Sequence, residues 1–329
     1  MKKMSLRGSK TRSNLLELMD NQIMIRTWRI TSTQNIELNL TDSTSLDAVT
    51  RQLPDGYYST FRTFDGCGLV LGLKAHMRRL YDPITKPDVN ASFLRRQLLL
   101  LLETFRPDEA RVRVMMTKEG QTYAAVEPLK PLPREVYENG VRAETTEIQR
   151  ESPRLKSTVF IDLSDEERKH IAQEGIFEAL LVKNGRILEG MTSNFFYVKN
   201  TRAERNEERS SRRMQTKRIS ATALRLRRNS IASAQREALY TAQRNILLGV
   251  TRRMVIRVAR GRGVEVKYQT LKLNQLSAVG EAFITSSSRG VVPVIRIDEI
   301  VVGQGRPGQI TRMLMSAYDE YVLKHAEKI

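Results

Sequence analysis

The chain has 329 residues, 40% hydrophobic and 28% charged, enough to bury a sizeable core and to fill two domains. A single cysteine excludes an intrachain disulfide, three scattered histidines offer no zinc-ligand spacing, and the longest leucine run, Leu98–Leu102, is far too short to span a membrane. The net charge of +18 points towards nucleic acid or an anionic surface as partner, but it is unevenly placed: residues 1–12 carry +5 and residues 201–238 carry +7.

In chain order, residues 1–22 are polar and basic and read as a mobile extension. MKKMSLRGSK is followed by no apolar stretch, so no signal peptide is expected and the location expected is cytoplasmic. Residues 23–128 read as a small α/β domain. YYSTFRTF is β-prone, Asp65-Gly66 marks a turn, and LVLGL closes a hairpin. Lys74–Tyr81 reads as a short helix and Ser92–Phe105 as an amphipathic one, with Ser92 a candidate cap. ARVRVMMT and TYAAVEPL alternate as strands. Residues 129–134, within a stretch holding Pro128, Pro131 and Pro133, read as the interdomain linker.

Residues 135–329 read as a larger domain. SDEERKHIAQEG has the acids of a helix start, with Ser164 as expected cap and Gly175 at its end. FEALLVKNGRILEG is a hairpin on an Asn184-Gly185 turn. After NFFYVKN comes the 201–238 segment, eleven cations against four acids with no aromatic residue, Gly or Pro; it reads as a solvated insertion. A nucleic-acid-binding protein acting through this arm is the reading of a different class. Without stacking aromatics the arm supplies only salt-sensitive phosphate attraction. Gly249 precedes a helix, EAFITSSS and VVPVIRI are strands, and QITRMLMSAYDEYVLKHA is a C-terminal helix. GQGRPG matches a dinucleotide fingerprint in letters only: it lacks the βαβ context and contains Pro307, so it reads as a turn.

Taken in order, HMRRL (76–80), RLKST (154–158), GRILEGMTSNFF (185–196), GVTR (249–252) and ITSSSRGVVPV (284–294) resemble the class IV aminotransferases, pyridoxal-phosphate enzymes of fold type IV. That family includes branched-chain aminotransferases, D-amino acid aminotransferases and aminodeoxychorismate lyases. The resemblance implies an α+β, two-domain fold with pyridoxal 5'-phosphate in the interdomain cleft and a homodimer. It implies Lys156 as the lysine that holds the cofactor and moves the Cα proton, and Glu189 as the acid facing the pyridine nitrogen. Arg79, Val250, Thr251 and Ser287 would contact the phosphate. Tyr58, Thr60, Arg62, Ser288 and Arg289 are candidate substrate contacts. Asn194 reads as a supporting residue. Ile161 stands where branched-chain enzymes carry a tyrosine. The activity implied is transfer of an amino group from an amino acid, branched-chain-like first, to a 2-oxo acid. An aminodeoxychorismate-type lyase releasing pyruvate is the enzymatic alternative.

The residue types suit that chemistry. A lysine amine serves as nucleophile and then as proton carrier. A carboxylate beside a ring nitrogen keeps that nitrogen protonated. Arginine and a helix N-terminus suit a phosphate.

Overall fold

The computed structural model describes residues 25–200 and 238–329. The basic extension and residues 201–237 lie outside the described residues, and with them the arm on which the nucleic-acid reading rested.

The first half of the chain runs β1 (Arg26–Ile30), β2 (Asn35–Glu37), α1 (Leu46–Arg51), β3 (Gly56–Phe64), β4 (Leu69–Leu71), α2 (Leu73–Tyr81), α3 (Ala91–Leu102), β5 (Ala110–Thr117) and β6 (Thr122–Pro128). The second half runs α4 (Arg134–Asn139), β7 (Val141–Thr146), α5 (Val159–Leu163), α6 (Asp165–Gln173), β8 (Glu178–Lys183), β9 (Arg186–Gly190), β10 (Asn194–Lys199) and β11 (Ala238–Thr241). It continues with α7 (Val250–Gly261), β12 (Glu265–Tyr268), β13 (Leu271–Lys272), β14 (Val279–Ser286), β15 (Gly290–Ile297), β16 (Ile300–Val301), α8 (Gln309–His325) and β17 (Ala326–Lys328).

Two sheets result. The first has seven strands in the order β17-β4-β3-β5-β6-β1-β2. The second has ten, β12-β11-β10-β14-β15-β7-β8-β9-β13 with β16 on β15. Strand alternation decides what each face of the first sheet does. Ala110, Val112, Val114 and Met116 of β5 point into a core closed by Leu73, Met77 and Leu80 of α2 and Leu94, Leu98 and Leu102 of α3. Arg111, Arg113 and Met115 point to the opposite face, where Met115 packs with Tyr58, Tyr123 and Ile161. In the second sheet Phe196, Val198 and Phe283 pack under α7 and α8.

The Asn184-Gly185 turn forms as read, both residues at positive φ (51° and 65°), the geometry that suits a two-residue hairpin. Several local expectations are corrected. Asn90, not Ser92, caps α3: its side chain accepts the Phe93 N–H at 2.9 Å. Ser164 does not cap α6, because its hydroxyl donates back to Phe160 O at 2.6 Å and so closes α5 instead. Helix α4 begins at Arg134, inside the proline-rich stretch read as linker. Ala238, counted with the insertion, opens β11. The chain end, counted with the second half, returns to the first sheet: β17 pairs with β4, and Ile329 enters the first core.

Candidate active site

Between the sheets lies a cleft of 490 Å³ whose lining includes Lys156, Glu189, Arg79, Val250, Thr251, Ser287, Ser288 and Arg289, together with Tyr58 and Thr60. The lysine is set there by the loop between β7 and α5, which is stitched to the start of β3. Tyr58 N–H donates to Lys156 O and Thr158 N–H to Gly56 O, both at 2.9 Å. Gly56 N–H returns to Thr158 Oγ1 at 3.0 Å. Only glycine fits at position 56, since a Cβ would fall 2.2 Å from Met116 O. Lys156 Nζ lies 4.6 Å from the Tyr58 ring centroid. Burial, reinforced by Arg150, Arg79 and Arg113, holds the amine well below the usual lysine range.

Glu189, at the end of the hairpin, is 2% exposed. Its carboxylate accepts Arg150 Nε at 3.2 Å, Asn194 Nδ2 at 3.1 Å and Leu247 N–H at 3.0 Å. Burial pushes it up to about 7, against the pull of Arg150 and the Leu247 amide. Asn194 organises this end: it also accepts Gly249 N–H at 3.1 Å, and a Cβ on Gly249 would fall 2.1 Å from its Oδ1.

Lining the same cleft, Arg79 in the last turn of α2 donates Nη2 to Leu248 O at 2.6 Å. Burial, with Arg253 adding to it, lowers its guanidinium to about 10. Helix α7 starts beside it with no acid in its first turn. The leading N–H groups of a helix lack intrahelical acceptors, and Val250 and Thr251 carry two of these to the cleft wall. Thr251 Oγ1 donates to Ser287 Oγ at 3.3 Å, joining helix and strand.

Of the candidate catalytic, cofactor and substrate residues read from the sequence, Arg62 alone is not in this cleft. It shares the Tyr58–Thr60 face of β3, but it lines a second cavity of 530 Å³ that also touches Ser287 and Arg289. Ile161 is buried against Tyr58 and Tyr123. Four residues in or beside the cleft were not anticipated: Arg150, Arg111, Arg113 and Asp47. Arg113 pairs with Asp47 at 2.7 Å and lies over the Tyr58 ring at 4.6 Å. Burial would raise Asp47, but Arg113 and Arg168 overcome it and hold the acid at about 2. The alternation of ARVRVMMT was the available signal for both arginines. Arg150 left none, being one arginine among several in an irregular stretch.

The Amino-transferase class IV family matches residues 56–297. The chain belongs to this family. It is a pyridoxal-phosphate-dependent aminotransferase with the fold type IV architecture. It is similar to a Methanocaldococcus jannaschii protein assigned as a branched-chain-amino-acid aminotransferase, 26% identical over 84% of this chain and 90% of that one. It is also similar to the D-alanine aminotransferase of Bacillus licheniformis, 24% identical over 84% of this chain and 91% of that one. Its fold matches the T.th. branched-chain amino acid aminotransferase solved with pyridoxamine 5'-phosphate, with a TM-score of 0.67, 19% identity, and coverage of 92% of this chain and 96% of that one.

The cleft fits the cofactor by its donor set: a buried acid, an amine, and a cation beside a helix start all line one cavity. Arg150 Nη1, Ser193 Oγ and Thr285 Oγ1 line or border this cleft as buried polar atoms without a partner among the described residues. Buried groups of this kind are costly unless something satisfies them.

Proposed function

We propose that this enzyme moves an amino group between a branched-chain-type amino acid and a 2-oxo acid, with Lys156 as the proton carrier. The supporting observation is that Lys156, Glu189, Arg79, Thr251 and Ser287 line one cleft. Pyridoxal phosphate, when bound, supplies the carbonyl that receives the amino group and the ring that stores electrons. The chain supplies the rest. Arg79, the Val250 and Thr251 amides and the Ser287 hydroxyl hold the phosphate. Glu189 holds the ring nitrogen's proton, and Arg150 and Asn194 hold Glu189 in place. Lys156 Nζ, its hold on a proton weakened by burial and three arginines, accepts and returns the substrate Cα proton.

The branched-chain assignment draws on the apolar side chains of Leu46, Leu132 and Met191 among the cleft lining, and on the named relatives. A homodimer belongs to the same proposal, and sedimentation mass tests it. No observation favours the lyase.

The test is direct. Borohydride treatment of the loaded enzyme followed by peptide mapping places the phosphopyridoxyl label on Lys156. A screen of amino acids of both hands, read from the cofactor spectrum, identifies the donor. A Lys156→Ala protein that turns over amino acids at the wild-type rate refutes the assignment.

A further inference from the structure

Helix α8 is amphipathic, and Thr311, Leu314, Ala317, Tyr318 and Val322 recur at helical spacing as its buried residues. Leu314, Ala317, Tyr318 and Val322 share one core with Val255 and Ile256 of α7 and Phe283 of β14. That packing fixes where the Tyr318 hydroxyl goes. A buried tyrosine brings an apolar ring and a hydroxyl that needs a partner. Tyr318 is 5% exposed. Its ring is seated on Gly290, the first residue of β15, where a Cβ would fall 3.3 Å from Tyr318 Cε1. Its hydroxyl shares a hydrogen bond with the Thr251 side chain at the start of α7.

Thr251 in turn donates its hydroxyl hydrogen to Ser287 Oγ at 3.3 Å. A hydroxyl has one hydrogen to give. Since that of Thr251 goes to Ser287, the other bond runs from Tyr318 O–H to Thr251 Oγ1. The hydroxyls therefore form a relay with a single direction, Tyr318 to Thr251 to Ser287, and the hydrogen of Ser287 is not used within it. Thr251 lines the cofactor cleft, Tyr318 lines the second cavity, and Ser287 lines both. The relay thus begins behind the cleft wall and ends in it. Burial pushes the Tyr318 phenol up to about 12, which keeps it a donor through neutral pH.

We propose that Tyr318 is a positioning residue for the cofactor phosphate: by donating to Thr251 it sets the direction of the relay, so that Ser287 presents its hydrogen to the cleft. A doubly charged phosphate only accepts hydrogen bonds, and a hydroxyl helps to hold it only when its hydrogen faces the anion. With no donor on Thr251 Oγ1, the pair can reverse, Ser287 giving its hydrogen to Thr251 instead. Hydrogen bonds in series also polarise one another, so the Tyr318 donation strengthens the last bond as well as aiming it. The inference rests on the reading of Thr251 and Ser287 as phosphate contacts, and it adds a residue that lies outside the cleft lining.

Absorbance titration of the full-length apoprotein compares pyridoxal phosphate with pyridoxal, which has the same ring and aldehyde and no phosphate. Tyr318→Phe keeps the ring on Gly290 and removes only the hydroxyl. The Kd for pyridoxal phosphate should rise about fivefold, the scale of one hydrogen bond, while the Kd for pyridoxal stays unchanged. A residue that merely packs the core moves both constants together or neither, and either result overturns the proposal. In a Thr251→Val background Tyr318→Phe should change neither constant further, because the relay is already cut. A repeat of the fivefold loss in that background overturns it as well. Tyr318→Met also lacks the hydroxyl and decides the same ratio should the phenylalanine protein fail to fold. Failure of the phosphate reading shows separately: Thr251→Val alone then leaves both constants at their wild-type values, and the proposal falls with that reading.

Discussion

Glu189 sits on a balance between burial and its partners, and stability against pH reveals which side governs. Burial raises its carboxyl from 4.5 to about 7. A raised carboxyl favours the fold in its protonated form. Its contribution is therefore complete below about 4.5 and is lost as pH rises through about 7, and it amounts to on the order of 3 kcal/mol. The cofactor-free protein is the right sample, because a protonated ring nitrogen would hold the carboxylate ionised. Asp47 does not interfere: held at about 2, it loses its contribution only in stronger acid. His76, fully buried and held well below 6.5 by desolvation, works in the opposite sense over the same window, so the raw profile is partly cancelled. The comparison with Glu189→Gln isolates the term. That variant leaves Arg150 without its counter-charge, which lowers stability by about 3 kcal/mol or more largely independently of pH. Urea unfolding of both proteins from pH 4.5 to 7.5 should show wild type losing about 3 kcal/mol relative to the variant as pH rises. Parallel profiles refute the argument and mean that Arg150, Asn194 and the Leu247 amide keep Glu189 ionised throughout.

Three further outcomes follow from local geometry. Asn90→Ala removes the α3 cap and lowers stability by about 1 kcal/mol in urea unfolding, with cofactor affinity unchanged, since the cap lies outside the cleft. Gly249→Ala forces a Cβ against Asn194 Oδ1; absorbance titration of the apoprotein should show cofactor affinity falling at least tenfold, and wild-type affinity would mean that Asn194 yields freely. Deleting residues 326–329 removes the β17–β4 pairing and the Ile329 anchor; unfolding free energy should fall by about 2 kcal/mol, and cofactor retention on dialysis should drop because β4 leads through Gly72 into the helix that carries Arg79.

Features written in neighbouring residues were legible in the sequence. The Asn184-Gly185 hairpin, the start of α7 at Gly249 and the strand alternation around Val112 each depend on local chemistry, and each appears in the fold. Features made by distant pairing were not. Whether Ser164 caps a helix depends on the length of α5, and its hydroxyl turned to Phe160 O because that helix ends beside it. The setting of Lys156 is fixed by Gly56 and Tyr58, about a hundred residues earlier in the chain, so RLKST carries little signal alone. Period-two alternation correctly puts Tyr58, Thr60 and Arg62 on one face. It says nothing of how far the cleft extends, and Arg62 lies beyond its end.

The three arginines that depress Lys156 show how the cleft selects its ligand. Cations gathered in a poorly hydrated space repel one another and need counter-charges. Arg150 has Glu189 at 3.2 Å, and Arg113 has Asp47 at 2.7 Å. Arg79 makes no ion pair among the described residues; its hydrogen bond goes to the Leu248 carbonyl. The uncompensated member of the set is thus the one beside the start of α7, where helix amides add to the positive field. A ligand bringing a doubly charged anion to that end relieves Arg79 without disturbing the pairs that orient Glu189 and cover Tyr58. A neutral ligand of the same shape leaves that cation buried and unpaired. The phosphate is therefore the group that decides retention, and a dephosphorylated cofactor should leave the cleft rapidly even with its aldehyde intact.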